Sequence, residues 1–276
     1  MTIHPTAVID PLAEIDPGVD IGPYAIIEGP VRIHAGAVLA PHVHLMGHTT
    51  IGPGCRLHTG AVVGDYPQDR SFTGGVSYCQ IGAETILREY VTMHRGTKPG
   101  TITSIGERCL LMAHAHVGHN CEVADDVTLV NGCLLGGYVS VGSRAVISGN
   151  AAVHQFVRVG ELAMIGGLAK ITQDILPFFM YDGHGVAVGV NVIGQRRAGI
   201  CSDERAELKA AYRRIYRTAG SLPSAVADLV EKLETPAGLR LMAFLQAPSK
   251  RGIHGHSEQL DAAADQPMTI PLERAA

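Results

Sequence analysis

From Ile3 to Ile171 an aliphatic side chain returns at every sixth position. Of the 29 positions in that phase, 26 are Ile, Leu, Val or Met, and only Asp69, Gly75 and Pro99 break the run. The fourth residue after each aliphatic is usually small, as at Ala7, Ala25, Ala61, Ala115 and Ala163, with Val, Thr or Cys at most of the rest. A period of six matches neither a helical stripe nor two-residue alternation, so each unit is a short strand plus a corner. Gly or a small polar residue after the aliphatic, as in Ile21-Gly22-Pro23 and Ile51-Gly52-Pro53, supplies turn chemistry. Three units close a triangular coil of 18 residues. Stacked at roughly 4.8 Å per coil, nearly nine coils form a prism roughly 40 Å long whose interior the aliphatic column fills.

The pattern resembles the hexapeptide-repeat proteins. That resemblance implies an all-β solenoid, a left-handed parallel β-helix with a C-terminal α-helical cap. The left hand is taken from the resemblance, because the general preference for right-handed crossovers predicts the opposite. The repeat spans 1–177 with outward loops at 66–80 and 98–104, where function concentrates. An irregular segment and helical cap follow over 178–253, and 254–276, polar and aperiodic, reads as a disordered tail. Within the cap, Ser202-Asp203-Glu204 reads as an N-cap opening a helix through about Thr218. Ser221-Leu222-Pro223 and Thr235-Pro236 open two more, to about Glu234 and Gln246.

Composition narrows the function. A formal net charge of -4 without long Lys/Arg runs argues against nucleic acid as a partner. Met1-Thr2-Ile3-His4-Pro5 enters the repeat at once and no apolar stretch reaches membrane-span length, so a cytoplasmic protein without an integral membrane segment is expected. Cys55, Cys109, Cys121 and Cys133 fall in the small inward phase and read as buried hydrophobes in a reducing compartment, whereas Cys79 and Cys201 carry no motif.

The densest chemistry is His114-Ala115-His116-Val117-Gly118-His119-Asn120-Cys121, in a chain with 14 histidines. Residues 18 apart stack in the uninterrupted coils, so His119, Gly137 and Gln155 form one outward column, with His154 beside it and His116 just before the same corner. A column holding His, a side-chain-free Gly and Gln is a working site rather than solvated surface.

Here the resemblance sharpens. Met93-His94-Arg95-Gly96-Thr97, Leu110 to His119, Val153-His154-Gln155-Phe156 and Gly189-Val190-Asn191 are similar to the UDP-N-acetylglucosamine O-acyltransferases that begin lipid A synthesis. Gln68-Asp69 and Ser249 to Ile253 fit the same family. The implied reaction moves a 3-hydroxyacyl group from the phosphopantetheine thioester of acyl carrier protein to a sugar 3-hydroxyl, with no cofactor bound by the enzyme itself. Such a hydroxyl needs a base, and an imidazole with an ordinary pKa of about 6.5 suits that step. The resemblance sets His119 as that base, beside Asn120, and the Gly137 N–H as oxyanion donor. It sets Asp69, His94, His116, His154 and Gln155 against nucleotide sugar or pantetheine, and Asn191 and Arg197 against the uridine diphosphate end. Gly167 and His184 fall where acyl length is set. A corner glycine without functional meaning is the competing reading of Gly167. A homotrimer with sites between neighbouring prisms is implied, as is docking of acidic acyl carrier protein on Lys209, Arg213, Arg214 and Arg217. An ordinary solvated helix face is the alternative reading of those four.

Several positions depart from the family. Asn120 stands where Asp usually orients the imidazole, and in a serine protease the analogous change costs about ten-thousandfold. Ser71 replaces a lysine, Tyr138 a histidine, and Ala198 a second arginine. Asn120 and Tyr138 fall 18 residues apart, one coil above the other. His-Asn is the pairing of a related N-acyltransferase, so transfer to a 3-amino sugar nucleotide is an open alternative. Two others are a zinc γ-class carbonic anhydrase using His114 and His119, which lack a convergent third histidine, and a carrier-binding paralogue without turnover.

Overall fold

The computed structural model describes residues 2–254. The expected tail therefore lies outside the described residues from 255 onward. The chain winds as a left-handed parallel β-helix with three sheet faces. Each unit contributes a strand of only two to four residues, such as Val8–Ile9, Glu14–Ile15 and Asp20–Ile21. Thr2 pairs with Asp20 and Glu122 with Ser140, the 18-residue coil expected from the period. Thr50 pairs with Gln80 and Gln80 with Ser104, separations of 30 and 24 residues, so the two loops add whole hexads and the phase survives them. The loops close sooner than the sequence suggests. Strands resume at Tyr78 and Ile102, because each returning segment extends to four residues and pairs with the coil below.

The aliphatic column is the core: Ile27, Leu45, Leu87, Leu111, Leu135 and Ile165 have no exposed surface. Cys79 belongs to it as well, at 1% exposure, since it shares the small inward phase with Cys55 and Cys109. Only Cys201 is exposed among the cysteines. The corner chemistry lies elsewhere than the glycine after the aliphatic. Two residues later, at Tyr24, His42, Tyr90, His114, Asn120, Tyr138 and Phe156, φ is between 58° and 69°. Glycine after the aliphatic serves a different need: a Cβ on Gly118 would lie 2.8 Å from the Leu135 carbonyl of the next coil.

Outward strand positions divide by face. Glu14, Arg32, Thr50, Gln80, Ser104, Glu122, Ser140 and Arg158 make one face polar. Val38, Ile86, Leu110, Val146 and Met164 make a second largely apolar. The third mixes Val8, Ile26, Val62 and Leu134 with Thr92 and His116.

Above the last coil, Phe179–Tyr181 continues one face and turns back antiparallel through Ala187–Val190, giving structure to a segment that looks irregular in the sequence. Four helices follow: α1 (Val192–Arg197), α2 (Ser202–Tyr216), α3 (Leu222–Val230) and α4 (Pro236–Gln246). Helix α1 has no signal in the sequence pattern. Helix α2 is capped by Cys201 rather than Ser202, because the Glu204 carboxylate reaches back to the Cys201 N–H at 3.0 Å. Helix α3 stops at Val230, earlier than about Glu234. Past α4 the chain returns to the prism, where Asp174, fully buried, holds the Arg158 guanidinium at 2.6 Å and the His254 N–H donates to the Asp174 carbonyl.

Candidate active site

His119 sits on the corner between the strands His116–Val117 and Glu122–Val123, and the left-handed Asn120 (φ 60°) turns the chain there. Asparagine tolerates that conformation better than most side chains. The corner throws the imidazole outward, as the phase requires, yet it is only 7% exposed. Both insertions bury it. From the long loop, Asp69 Oδ2 comes to 3.7 Å from Nε2. The short loop opens after the strand Thr92–His94, earlier than the sequence suggests, and from it Thr97 Oγ1 lies 2.6 Å from Nδ1. Asn120 Oδ1 is 3.1 Å from the same Nδ1 and accepts the Thr97 N–H at 3.0 Å.

Ser71, in the place of a lysine, orders the loop: its N–H donates to Asp69 Oδ1 at 2.8 Å and holds that carboxyl below the ordinary carboxylate range. Asp69 is therefore ionised as it faces the ring. The long loop is itself fastened by Arg95, whose guanidinium lies 4.2 Å from the Tyr66 ring centroid and 6.0 Å from that of Phe72.

One coil above, Gly137 brings its backbone against the imidazole. Its N–H donates to no backbone acceptor among the described residues. The same corner position holds Pro5, Pro11, Pro17, Pro23, Pro41 and Pro53 in the first coils, where no N–H is needed, whereas Gly47 and Arg95 in this phase donate to the Glu28 and Asp65 carbonyls. Gly137 lines a cleft of about 540 Å³ together with Gln68, His94, His116, His119 and Gln155.

His94 and His116 meet edge to face at 4.9 Å, and Thr92 Oγ1 contacts His116 Nδ1 at 2.7 Å. Burial pushes the His116 imidazole down to about 4, and burial likewise lowers His94. Both are neutral at pH 7, so they serve the cleft as hydrogen-bonding groups rather than cations. His154 is exposed at the rim, where the Arg251 guanidinium contacts its Nδ1 and donates to the Gln155 carbonyl at 2.8 Å. Tyr138 finds its ring partners in His119, edge to face at 5.3 Å, and Phe156, stacked at 5.0 Å. His114 points elsewhere, stacked on Tyr90 at 5.3 Å.

Other expected residues lie apart. Asn191 and Arg197 line a separate, largely apolar cleft of about 900 Å³ with Leu162, Met164, Met180 and Ile193, and it shares no lining residue with the histidine cleft. Asn191 is also engaged as the N-cap of α1: Oδ1 accepts from Gly194 and Nδ2 donates to the Leu162 carbonyl. Gly167 is exposed, and a Cβ there would meet only the Gly149 carbonyl at 3.4 Å, so the backbone does not demand glycine. His184 is exposed on the hairpin turn, its N–H on Asp182. Lys209 and Arg213 are exposed on α2, and Arg217 is exposed as its C-cap. Arg214 is not part of that face. It turns to α3 and pairs with Asp228 at 2.6 Å, because a residue one step round the helix meets its packed neighbour. Thr97 carries no mark in the sequence because it falls in the small inward phase, where the repeat reads it as core.

The family described as "Udp N-acetylglucosamine O-acyltransferase; Domain 2" matches residues 174–254, and "Bacterial transferase hexapeptide (six repeats)" matches 30–65 and 102–137. An acyl-[acyl-carrier-protein]–UDP-N-acetylglucosamine O-acyltransferase of Alkalilimnicola ehrlichii is 41% identical over 254 residues, 91% of this chain and 98% of that one. One from a Synechocystis strain is 42% identical over 204 residues, 74% of each chain. Among solved structures, a UDP-N-acetylglucosamine O-acyltransferase of Moraxella catarrhalis superposes with a TM-score of 0.87 at 36% identity, covering 92% of this chain and 99% of that one. A Francisella novicida acyltransferase gives 0.87 at 32% identity, with 91% and 93% covered.

Proposed function

This chain belongs to the UDP-N-acetylglucosamine O-acyltransferase family, and on that premise we propose that it moves a 3-hydroxyacyl group from acyl carrier protein to the 3-position of a UDP-N-acetylglucosamine-type sugar nucleotide, the first step of lipid A synthesis. The observation that carries the mechanism is His119 Nε2 and the unpaired Gly137 N–H on successive coils of one corner, facing one cleft. As the acceptor oxygen attacks the thioester carbonyl, His119 Nε2 takes its proton. The carbonyl oxygen becomes an oxyanion beside the Gly137 N–H, a preorganised donor in a site shielded from water. Collapse breaks the carbon–sulfur bond, and the imidazolium returns the proton to the departing pantetheine thiolate. Asp69 is ionised and close to Nε2, so it can accept from a sugar hydroxyl, and His94, His116 and Gln155 line the same cleft. The thioester brings its own activation, so the residues need no resident cofactor.

On this reading the enzyme works in the cytoplasm, where acyl carrier protein is found, and no helix among the described residues is long and apolar enough to cross a membrane. It assembles as a homotrimer. The apolar outward positions of two faces, against one polar face, support contact between copies, and the separate cleft holding Asn191 and Arg197 would complete a neighbour's site. Exposed Lys209, Arg213 and Arg217 offer the acidic carrier a basic approach. Asn120 favours one second reading, transfer to a 3-amine, since an amine needs less help from the base.

The test is purified protein with a panel of 3-hydroxyacyl carrier thioesters against UDP-N-acetylglucosamine and its 3-amino analogue, with products identified by mass. Acylated sugar nucleotide is the expected result. Thioester consumption without either product sinks the reading.

A further inference from the structure

A carboxylate offers the neighbouring imidazole two equivalent acceptor oxygens, whereas the Asn120 carboxamide has one accepting and one donating end. The end that faces His119 therefore has to be selected. The Thr97 N–H, 3.0 Å from Asn120 Oδ1, makes the selection, since the reversed amide would set donor against donor. The oxygen so fixed stands 3.1 Å from His119 Nδ1 and can only accept, which requires the ring proton on Nδ1. Thr97 also presents its hydroxyl to that nitrogen at 2.6 Å, and a hydroxyl rotates to accept. Thr97 is 4% exposed and His119 7%, so bulk water does not compete for these contacts. The short loop keeps Thr97 in place: the Thr101 hydroxyl donates to the Lys98 carbonyl at 2.7 Å, and a Cβ on Gly96 would lie 2.6 Å from the Thr101 carbonyl oxygen.

Resting on the assignment of His119 as the base, we propose that Thr97 is a positioning residue for it. Its backbone N–H fixes the orientation of Asn120, and its hydroxyl holds Nδ1, so that the ring proton stays on Nδ1 and Nε2 stands unprotonated with the Asp69 carboxylate 3.7 Å away. The second insertion thus does for an asparagine-containing site what a carboxylate does without help.

Thr97→Val keeps the shape and the N–H but removes the hydroxyl, and Thr97→Ser restores it. Turnover with one acyl donor is expected to fall by about tenfold or more in Thr97→Val, with KM for the sugar nucleotide unchanged within about twofold, and to recover in Thr97→Ser. Nitrogen-15 spectra of the free protein at pH 8, with the His119 signals assigned by their loss in His119→Ala, should show the wild-type ring protonated at Nδ1. Asn120→Ala should move the proton to Nε2 for part of the population, because only the adaptable hydroxyl then remains. Thr97→Val turning over like wild type, or a wild-type ring protonated at Nε2, overturns the proposal. The ring's tautomer is read without substrate, so it is decided independently of whether acyl transfer is the reaction.

Discussion

The His119 imidazole occupies the space where a side chain on Gly137 would begin: a Cβ built on Gly137 would lie 2.4 Å from Cε1 and 2.5 Å from Nε2. The proposed base and the proposed oxyanion donor are thus set against each other across one coil. Gly137→Ala should displace the ring tip while leaving the coil intact, since φ there is not left-handed. Turnover is expected to fall by about a hundredfold with little change in melting temperature. Unchanged kcat would separate the two residues in the mechanism.

His119→Ala should abolish measurable transfer. The side chain is covered by the loops rather than by the aliphatic column, so circular dichroism and oligomeric state should match wild type. Activity within about tenfold of wild type would remove His119 from the mechanism.

Asn120→Asp should keep both contacts now made by Oδ1 and add a charge beside the imidazole. The carboxylate stabilises the imidazolium, so turnover on the hydroxyl acceptor should rise and the acid limb of the kcat/KM profile should move to higher pH. A 3-amine acceptor should gain less. A mutant slower on the hydroxyl sugar would mean that Asn120 is matched to Thr97 and Tyr138 and cannot be improved singly.

His116 gives stability a pH dependence of definite sign. Its pKa is depressed to about 4 in the folded chain, so between that value and its ordinary 6.5 the unfolded chain binds the extra proton. Stability from this residue is complete above about 6.5 and falls as pH drops toward 4, by up to about 3 kcal/mol per chain, with His94 adding in the same direction. Denaturant melts at pH 7.5 and 5 should therefore differ less in His116→Gln than in wild type. An equal difference would show that this imidazole does not report on folding.

Charge reversal at Lys209 and Arg213 should raise KM for the acyl carrier thioester by about tenfold without lowering kcat, and added salt should shrink the gap. Arg214→Glu serves as the contrast. It breaks the pair with Asp228 and should lower stability instead of carrier affinity. Wild-type KM in the Lys209 and Arg213 variants would leave this face without a partner.

The solenoid was legible because a single phase decides burial: Ile27 and Leu135 are inward for the same reason, and the hexads continue unaltered past both loops. His119 and Gly137 could be aligned by counting alone. Helix α1 and the hairpin before it could not, since they are short and stabilised by contacts such as the Asn191 cap on the Leu162 carbonyl, far apart in sequence. Thr97 was hidden for the opposite reason: it fits the repeat so well that its phase says core, and only the path of the inserted loop turns its hydroxyl to His119. Arg214 shows the limit of reading charge along a helix, because the packing of α3 decides which basic residues remain free.

The corner amide recurs along the prism edge that holds Gly137, but Gly47 and Arg95 there donate to the Glu28 and Asp65 carbonyls, and only at some coils is it left unpaired. At six such positions in the first coils proline takes its place and stiffens the entry to the solenoid. Further along it is left as N–H, and at Gly137 it stands beside His119 as the proposed oxyanion donor. A repeat of this kind offers a donor wherever the corner amide is left unpaired, and the side chains beside it decide what that donor can serve. Transplanting a catalytic centre one coil up or down such an edge is then a problem of swapping side chains and loops, with the backbone already in place.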